Sequence, residues 1–275
     1  MADPGPGAPA VFHAHDRHHR DPQGHPFALV ELVQLGWDPD RCDWRVSVSR
    51  PTGEVVRFGD GKRTLLTGLP GALAAPLAEA FRECDEPGRP AVLQVALPHP
   101  LLGLDVDAWK FGPDEPPLGA RRPAVVRCAD RDQLPDRSRR TVPVLCRYGD
   151  QRFEDDPVAL VRIVHGGFGV ALWRRWRGQT DAVCGEFHRR AGDTVAGAGS
   201  AERLPELVHA LRAGLRAGKP ETFWAKGIAL FYDDPRQPLP GTGDLLEAPW
   251  GPYGQRPISS TAAAAGTPRR PKCRK

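Results

Sequence analysis

The stretch from Ala91 to Trp109, AVLQVALPHPLLGLDVDAW, restricts the fold of this 275-residue chain more than any other. Val92, Leu93, Val95, Ala96 and Leu97 form a short apolar run suited to a strand buried on both faces. Pro98 and Pro100 end it by withdrawing backbone donors, so a rigid corner must follow a central strand. An extended corner would place Asp105, Asp107 and Trp109 on one side. Leu101, Leu102 and Trp109 are then expected to pin the corner to the core by apolar burial, with the two aspartates as surface groups.

The elements around this strand set its class. Phe27 to Leu35, Trp44 to Ser49 and Glu54 to Phe58 are rich in β-branched and aromatic residues and separated by turn-forming DPDRCD and RPTG, the pattern of an antiparallel meander. From Leu69 to Cys84 the apolar spacing becomes helical, with Leu73, Leu77, Ala80, Phe81 and Cys84 on one face, and Pro76 predicts that the regular helix begins near it. Ala124 to Cys128 and Gly227 to Tyr232 read as further buried strands. Ala201 to Ala217 reads as a helix with a stripe of Leu204, Leu207, Val208, Leu211 and Leu215, and with Arg212 and Arg216 placed to suit its dipole. Residues 129 to 155 and 157 to 176 permit no secure assignment. The expectation is an α/β fold with a mixed sheet that begins with an antiparallel three-strand meander and has helices packed on it. Residues 1–26 read as a disordered His/Pro/Gly-rich segment, 27–245 as a single α/β domain, and 246–275 as a flexible basic tail.

Composition narrows the function classes. Forty per cent hydrophobic and 26% charged residues are ordinary for a soluble globular protein. No apolar run is long enough to span a bilayer and the N-terminus does not read as a secretory signal, so a cytoplasmic location is expected. Cys42, Cys84, Cys128, Cys146, Cys184 and Cys273 are scattered without a C-x-x-C pair and read as buried free thiols. The formal charge of +4 is concentrated in the tail, in Arg269, Arg270, Lys272, Arg274 and Lys275. The body is near neutral, so nucleic acid is not expected as its partner.

Candidate sites each carry a plainer alternative. His13, His15, His18 and His19 in HAHDRHHR could bind a metal, but a disordered segment does not fix ligand geometry. FGDGKRT, residues 58 to 64, lacks the spacing of a phosphate loop and reads as a turn. Glu31, Glu79 or Glu83, and Asp105 or Asp107 could form the carboxylate set of a metal-dependent nuclease, since a meander, a helix and a strand also open RNase H-like folds. A second nuclease pattern would use Glu54, but Val56 stands where it needs lysine. Asp233 and Asp234 emerge from a buried strand, where ligand residues gather in α/β folds, yet Pro235 makes this an ordinary strand-ending turn. Trp173 and Trp176 with Arg174, Arg175 and Arg177 fit either an interaction patch or amphipathic packing. His165, His188 and His209 have no nucleophile at a diagnostic distance. Catalytic, cofactor and metal residues are therefore expected to be absent. The signature is Leu97, Pro98, Leu101, Leu102, Asp105, Asp107, Trp109, Trp173, Trp176, Asp233 and Asp234, for interaction or for structure.

LPHPLLGLDVDAW resembles the L-P-x-x-L-L-x-x-x-V-D-x-W motif of the vWA-MoxR associated protein C-terminal domain, a family of bacterial NTP-dependent conflict systems. AVLQVALP before it, PAVVRCADR after it, the W-R-R-W element at Trp173 to Trp176 and the GIALFYDDPRQPLP ending follow in the family's order. Residues 129 to 172 depart from its spacing. The resemblance implies a domain that works with a MoxR-type AAA ATPase and a vWA-domain protein, usually at the C-terminus of a larger chain that carries effector or peptidase modules. The present chain reads as a stand-alone copy, and the family supplies no catalytic residues to carry over. The expected function is a non-enzymatic sensor or adaptor. The alternatives are a metal-dependent nuclease and a nucleic-acid binder acting through the basic tail.

Overall fold

In the computed structural model of the chain, residues 24 to 130, 142 to 146, 158 to 175, 181 to 233 and 239 are described. They belong to a compact unit spanning Met1–Pro240, and a second unit, Gly241–Lys275, lies outside the described residues. Also outside them are the histidine tract, Trp176, Arg177, Asp234 and the basic tail.

The strands β1 (Phe27–Leu35), β2 (Asp38–Ser49) and β3 (Val55–Leu65) form the expected antiparallel meander. It closes through a turn in which Arg50 N–H donates to Glu54 O, with Gly53 in the left-handed region at φ 87°. The helix α1 (Leu69–Cys84) crosses to β4 (Leu93–Leu97), which pairs parallel to β1 on one side and to β5 (Ala124–Cys128) on the other. Between β4 and β5 lie the corner and the short helix α2 (Leu118–Arg121). Then come β6 (Val144–Cys146), α3 (Val158–His165), β7 (Val170–Arg174), α4 (Asp181–Ala198), α5 (Leu204–Arg216) and β8 (Ile228–Tyr232). Among the described residues these strands make one mixed sheet in the order β3-β2-β1-β4-β5-β8-β7-β6, with β8 parallel to β5 and β7 antiparallel to β8.

The central strands β4, β5 and β8 are buried on both faces. Val126, Ala229 and Phe231 join the core under α1, the corner and the end of α3, while Val125, Ile228, Leu230 and Tyr232 join the core under α4 and α5. This alternation is the two-residue strand period.

Four local expectations are corrected. DPDRCD is not a turn but opens β2. FGDGKRT is not a turn but lies within β3. Its glycines permit close packing: a Cβ at Gly61 would lie 2.5 Å from the Trp44 ring, and one at Gly59 would lie 2.9 Å from Pro76. A glycine in a strand can mark either a turn or a close approach, and here it is the latter. The helix α1 does not wait for Pro76 but starts at Leu69. Proline inside a helix costs about 3 kcal/mol. Leu69 and Leu73, fully buried upstream of it, each contribute roughly 1.5–3 kcal/mol by leaving water, enough to hold the first turns. Finally, the corner is not extended. Short 3-10 turns at His99–Leu101 and Val106–Ala108 fold it back on the core.

Sequence reading also left α4 unassigned. Phe187, Ala191, Val195 and Ala198 give it a fully buried stripe, but they are small or widely spaced in a segment rich in polar residues, so its apolar signal is weak.

Candidate functional site

The corner runs from the carboxyl end of β4 to the amino end of β5, so it joins two ends of the sheet. Leu97, Leu101, Leu102, Val106 and Trp109 are buried along it. Trp109 O accepts a hydrogen bond from Leu118 N–H at 2.8 Å, tying the corner to α2. Pro98 sets the extended residue before the first 3-10 turn.

At the amino end of the sheet the corner delivers Asp107 into a pair of arginines. Arg175 Nε and Nη2 both donate to Asp107 Oδ1, at 3.0 and 2.7 Å, and Arg212 Nη2 lies 3.6 Å from Oδ2. Arg175 Nη1 also donates to Gly103 O at 3.0 Å. Arg212 comes from α5 and donates to Ala124 O and Ile228 O, the first carbonyls of β5 and β8. Its place near the end of α5 therefore has little to do with the dipole expected of it. Arg212 is a buried cross-link between a helix and two strand ends. Gly119 in α2 makes room for this packing, since a Cβ there would sit 2.8 Å from Asp107 Cβ.

Asp107 is thus not a surface group, and its side chain is 13% exposed. Burial pushes its carboxyl up, but Arg212 and Arg175 together outweigh that and hold it below the usual carboxylate range. Asp105 meets the same Arg175 Nε at 3.1 Å from the outside, with 59% of its side chain exposed. Corner and W-R-R-W element, which the sequence presents 68 residues apart, meet through Arg175. Trp173 is buried beside them, with the Arg175 guanidinium over its ring at 5.0 Å.

The carboxyl ends of β4, β5 and β8 carry a second group of polar residues. Asp233, directly after β8, pairs with Arg127 at 3.0 Å with both side chains 1% exposed, and Arg127 also donates to Gln94 Oε1 at 2.8 Å. On the neighbouring strand ends, His99, Cys128 and Asp130 each bring a ligand-type atom within 4.8 Å of the others. His99 N–H donates to Asp130 Oδ2 at 2.8 Å. The His165 ring, from the end of α3, stacks on His99 with centroids 5.1 Å apart. Sequence reasoning missed this trio because its members lie 29 and two residues apart, a spacing without a recognised motif. C-x-D at a strand end was the available signal.

The carboxylates nominated for a nuclease have other employment. Glu31 accepts from buried Arg45 at 2.8 Å, Glu83 and Glu54 both pair with Arg50, and Asp107 is held as above. A cation would have to displace an arginine at each of these carboxylates. Burial pushes the His188 and His209 imidazoles below their ordinary value. It pushes the Cys42 and Cys84 thiols up to about 11, so both remain protonated at neutral pH.

Comparison with known families gives one match. The model of the vWA-MoxR associated protein C-terminal domain aligns with residues 40–141 and 132–235, two overlapping segments. No curated protein and no solved structure matches the chain.

Proposed function

We propose that this chain, which belongs to the vWA-MoxR associated protein C-terminal domain family, is a non-enzymatic sensor or adaptor domain that works with a MoxR-type AAA ATPase and a vWA-domain protein. The family match across both halves of the sheet carries the reading. Arrangement of the signature residues agrees with a scaffold role. Leu97, Leu101, Leu102, Trp109 and Trp173 are interior, and Asp107 and Asp233 are each closed off by arginine. In this reading the signature holds the domain's shape, and partners are met by residues outside it. No helix among the described residues is long and apolar enough to cross a membrane.

The test is native co-purification of the tagged full chain from its own cells, with mass spectrometry of the retained proteins. Recovery of a MoxR-type ATPase together with a vWA-domain protein is expected, and recovery of neither would overturn the proposal. Incubation of the same preparation with DNA or RNA and Mg²⁺ or Mn²⁺ is expected to leave the nucleic acid intact.

A further inference from the structure

We propose that His99, Cys128 and Asp130 form a binding site for a borderline divalent transition-metal ion of the Zn²⁺ type, at the carboxyl ends of β4 and β5. The inference is independent of the adaptor reading, since it concerns a different end of the sheet and a different ligand.

The donor set selects the ion. One imidazole, one thiol and one carboxylate match zinc-type coordination, whereas the sulfur disfavours Mg²⁺ and Ca²⁺. Ligand atoms of a tetrahedral zinc centre lie roughly 3.3–3.8 Å apart, given bond lengths of about 2.0–2.3 Å. The observed separations, all within 4.8 Å, therefore need closure by about 1 Å, which side-chain rotation supplies. His99 and Asp130 can make that movement because they are 24% and 34% exposed. Cys128, buried at the end of β5, is the fixed member.

A second observation concerns the imidazole itself. His99 Nδ1 lies 3.3 Å from Asp130 Oδ2, the separation expected of two ligand atoms on one tetrahedral ion. Asp130 Oδ2 accepts the His99 backbone N–H at 2.8 Å, and the second lone pair of that oxygen is available to the ion. Binding displaces the Cys128 thiol proton to solvent and forms a metal–thiolate bond, with no change of oxidation state. With three protein ligands at a partly exposed strand end, the fourth position falls to solvent. The carboxyl ends of parallel strands are also where α/β sheets place their ligands.

The test titrates chelator-stripped full-length protein with Co²⁺ and follows the thiolate-to-cobalt charge-transfer band, which the N-terminal histidine tract cannot produce. One equivalent of Co²⁺ is expected to develop the band, and Zn²⁺ to bleach it. Cys128→Ala should abolish it, while His99→Ala and Asp130→Asn weaken Co²⁺ affinity by about 10–100-fold. The proposal is overturned by absence of the band, by its survival in Cys128→Ala, or by its loss when His13, His15, His18 and His19 are replaced by alanine. Should circular dichroism show Cys128→Ala unfolded, the two other variants decide, and unchanged affinity in both would also overturn it. None of these outcomes bears on whether the chain captures its ATPase and vWA-domain partners.

Discussion

At the amino ends of β5 and β8 Asp107 is held between Arg175 and Arg212, while at the carboxyl ends of β4 and β5 Asp130 faces an imidazole and a thiol. The two aspartates stand at opposite ends of the same layer, and the corner reaches both, with His99 near its start and Asp107 near its finish. Their surroundings assign them different work. A carboxylate that accepts from one guanidinium and is ion-paired with a second is neutralised and fixed, which serves the fold and leaves little affinity for a ligand. A carboxylate beside an imidazole and a thiol at a partly exposed strand end sits among metal-ligating groups. The signature motif of the family lies mainly with the first, and the candidate binding chemistry with the second.

The contrast breaks most sharply at Asp107. Asp107→Ala leaves the buried Arg212 without its carboxylate partner and Arg175 with only the exposed Asp105, and removal of one member of a buried ionic set costs about 3–5 kcal/mol. Urea denaturation followed by circular dichroism should show a loss of that size, and a loss below about 1 kcal/mol would show that the arginines find other partners. The smaller effect is in acid. Because the folded-state pKa of Asp107 is depressed, its contribution is fully present above the unfolded carboxylate value of about 3.9 and disappears as pH falls through the folded value. Asp107→Asn, already less stable at neutral pH, should lose less further stability than the native chain below about pH 4, measured by denaturation midpoints across an acid series. Parallel acid limbs in the two proteins would remove Asp107 from the account.

The strands were legible where apolar residues run without interruption. Val92 to Leu97, Ala124 to Cys128 and Gly227 to Tyr232 announced buried strands, and the structure places β4, β5 and β8 there. Glycine and proline were harder to read, because Gly61 beneath the Trp44 ring and Pro76 against Gly59 are tertiary contacts with no local sign. Asp107 stood out as the D of V-D-x-W, but its burial depends on Arg175 and Arg212, 68 and 105 residues away, and pairwise partners at that range leave no spacing to recognise. Arg212 misled for a related reason: on a helical wheel an arginine near a helix end suits the dipole, and its long stem conceals that it crosses to Ala124 and Ile228. The trio at the other end was invisible because topology alone brings β4's corner, the end of β5 and the end of α3 together.

Asp130→Asn offers the finest discrimination between the two ends. The asparagine oxygen can still accept the His99 N–H that Asp130 Oδ2 now accepts at 2.8 Å, and the side chain is about one-third exposed, so water can reach it. A partly exposed charge beside a histidine contributes about 0–1 kcal/mol. In metal-free buffer the variant should therefore unfold within about 1 kcal/mol of the native chain. A loss as large as that expected of Asp107→Ala would mean that Asp130 is a structural strut and that both ends of the sheet do the same work. If stability is retained, the Asp130 charge is not required to hold this end of the fold together, as expected of a carboxylate kept for a ligand.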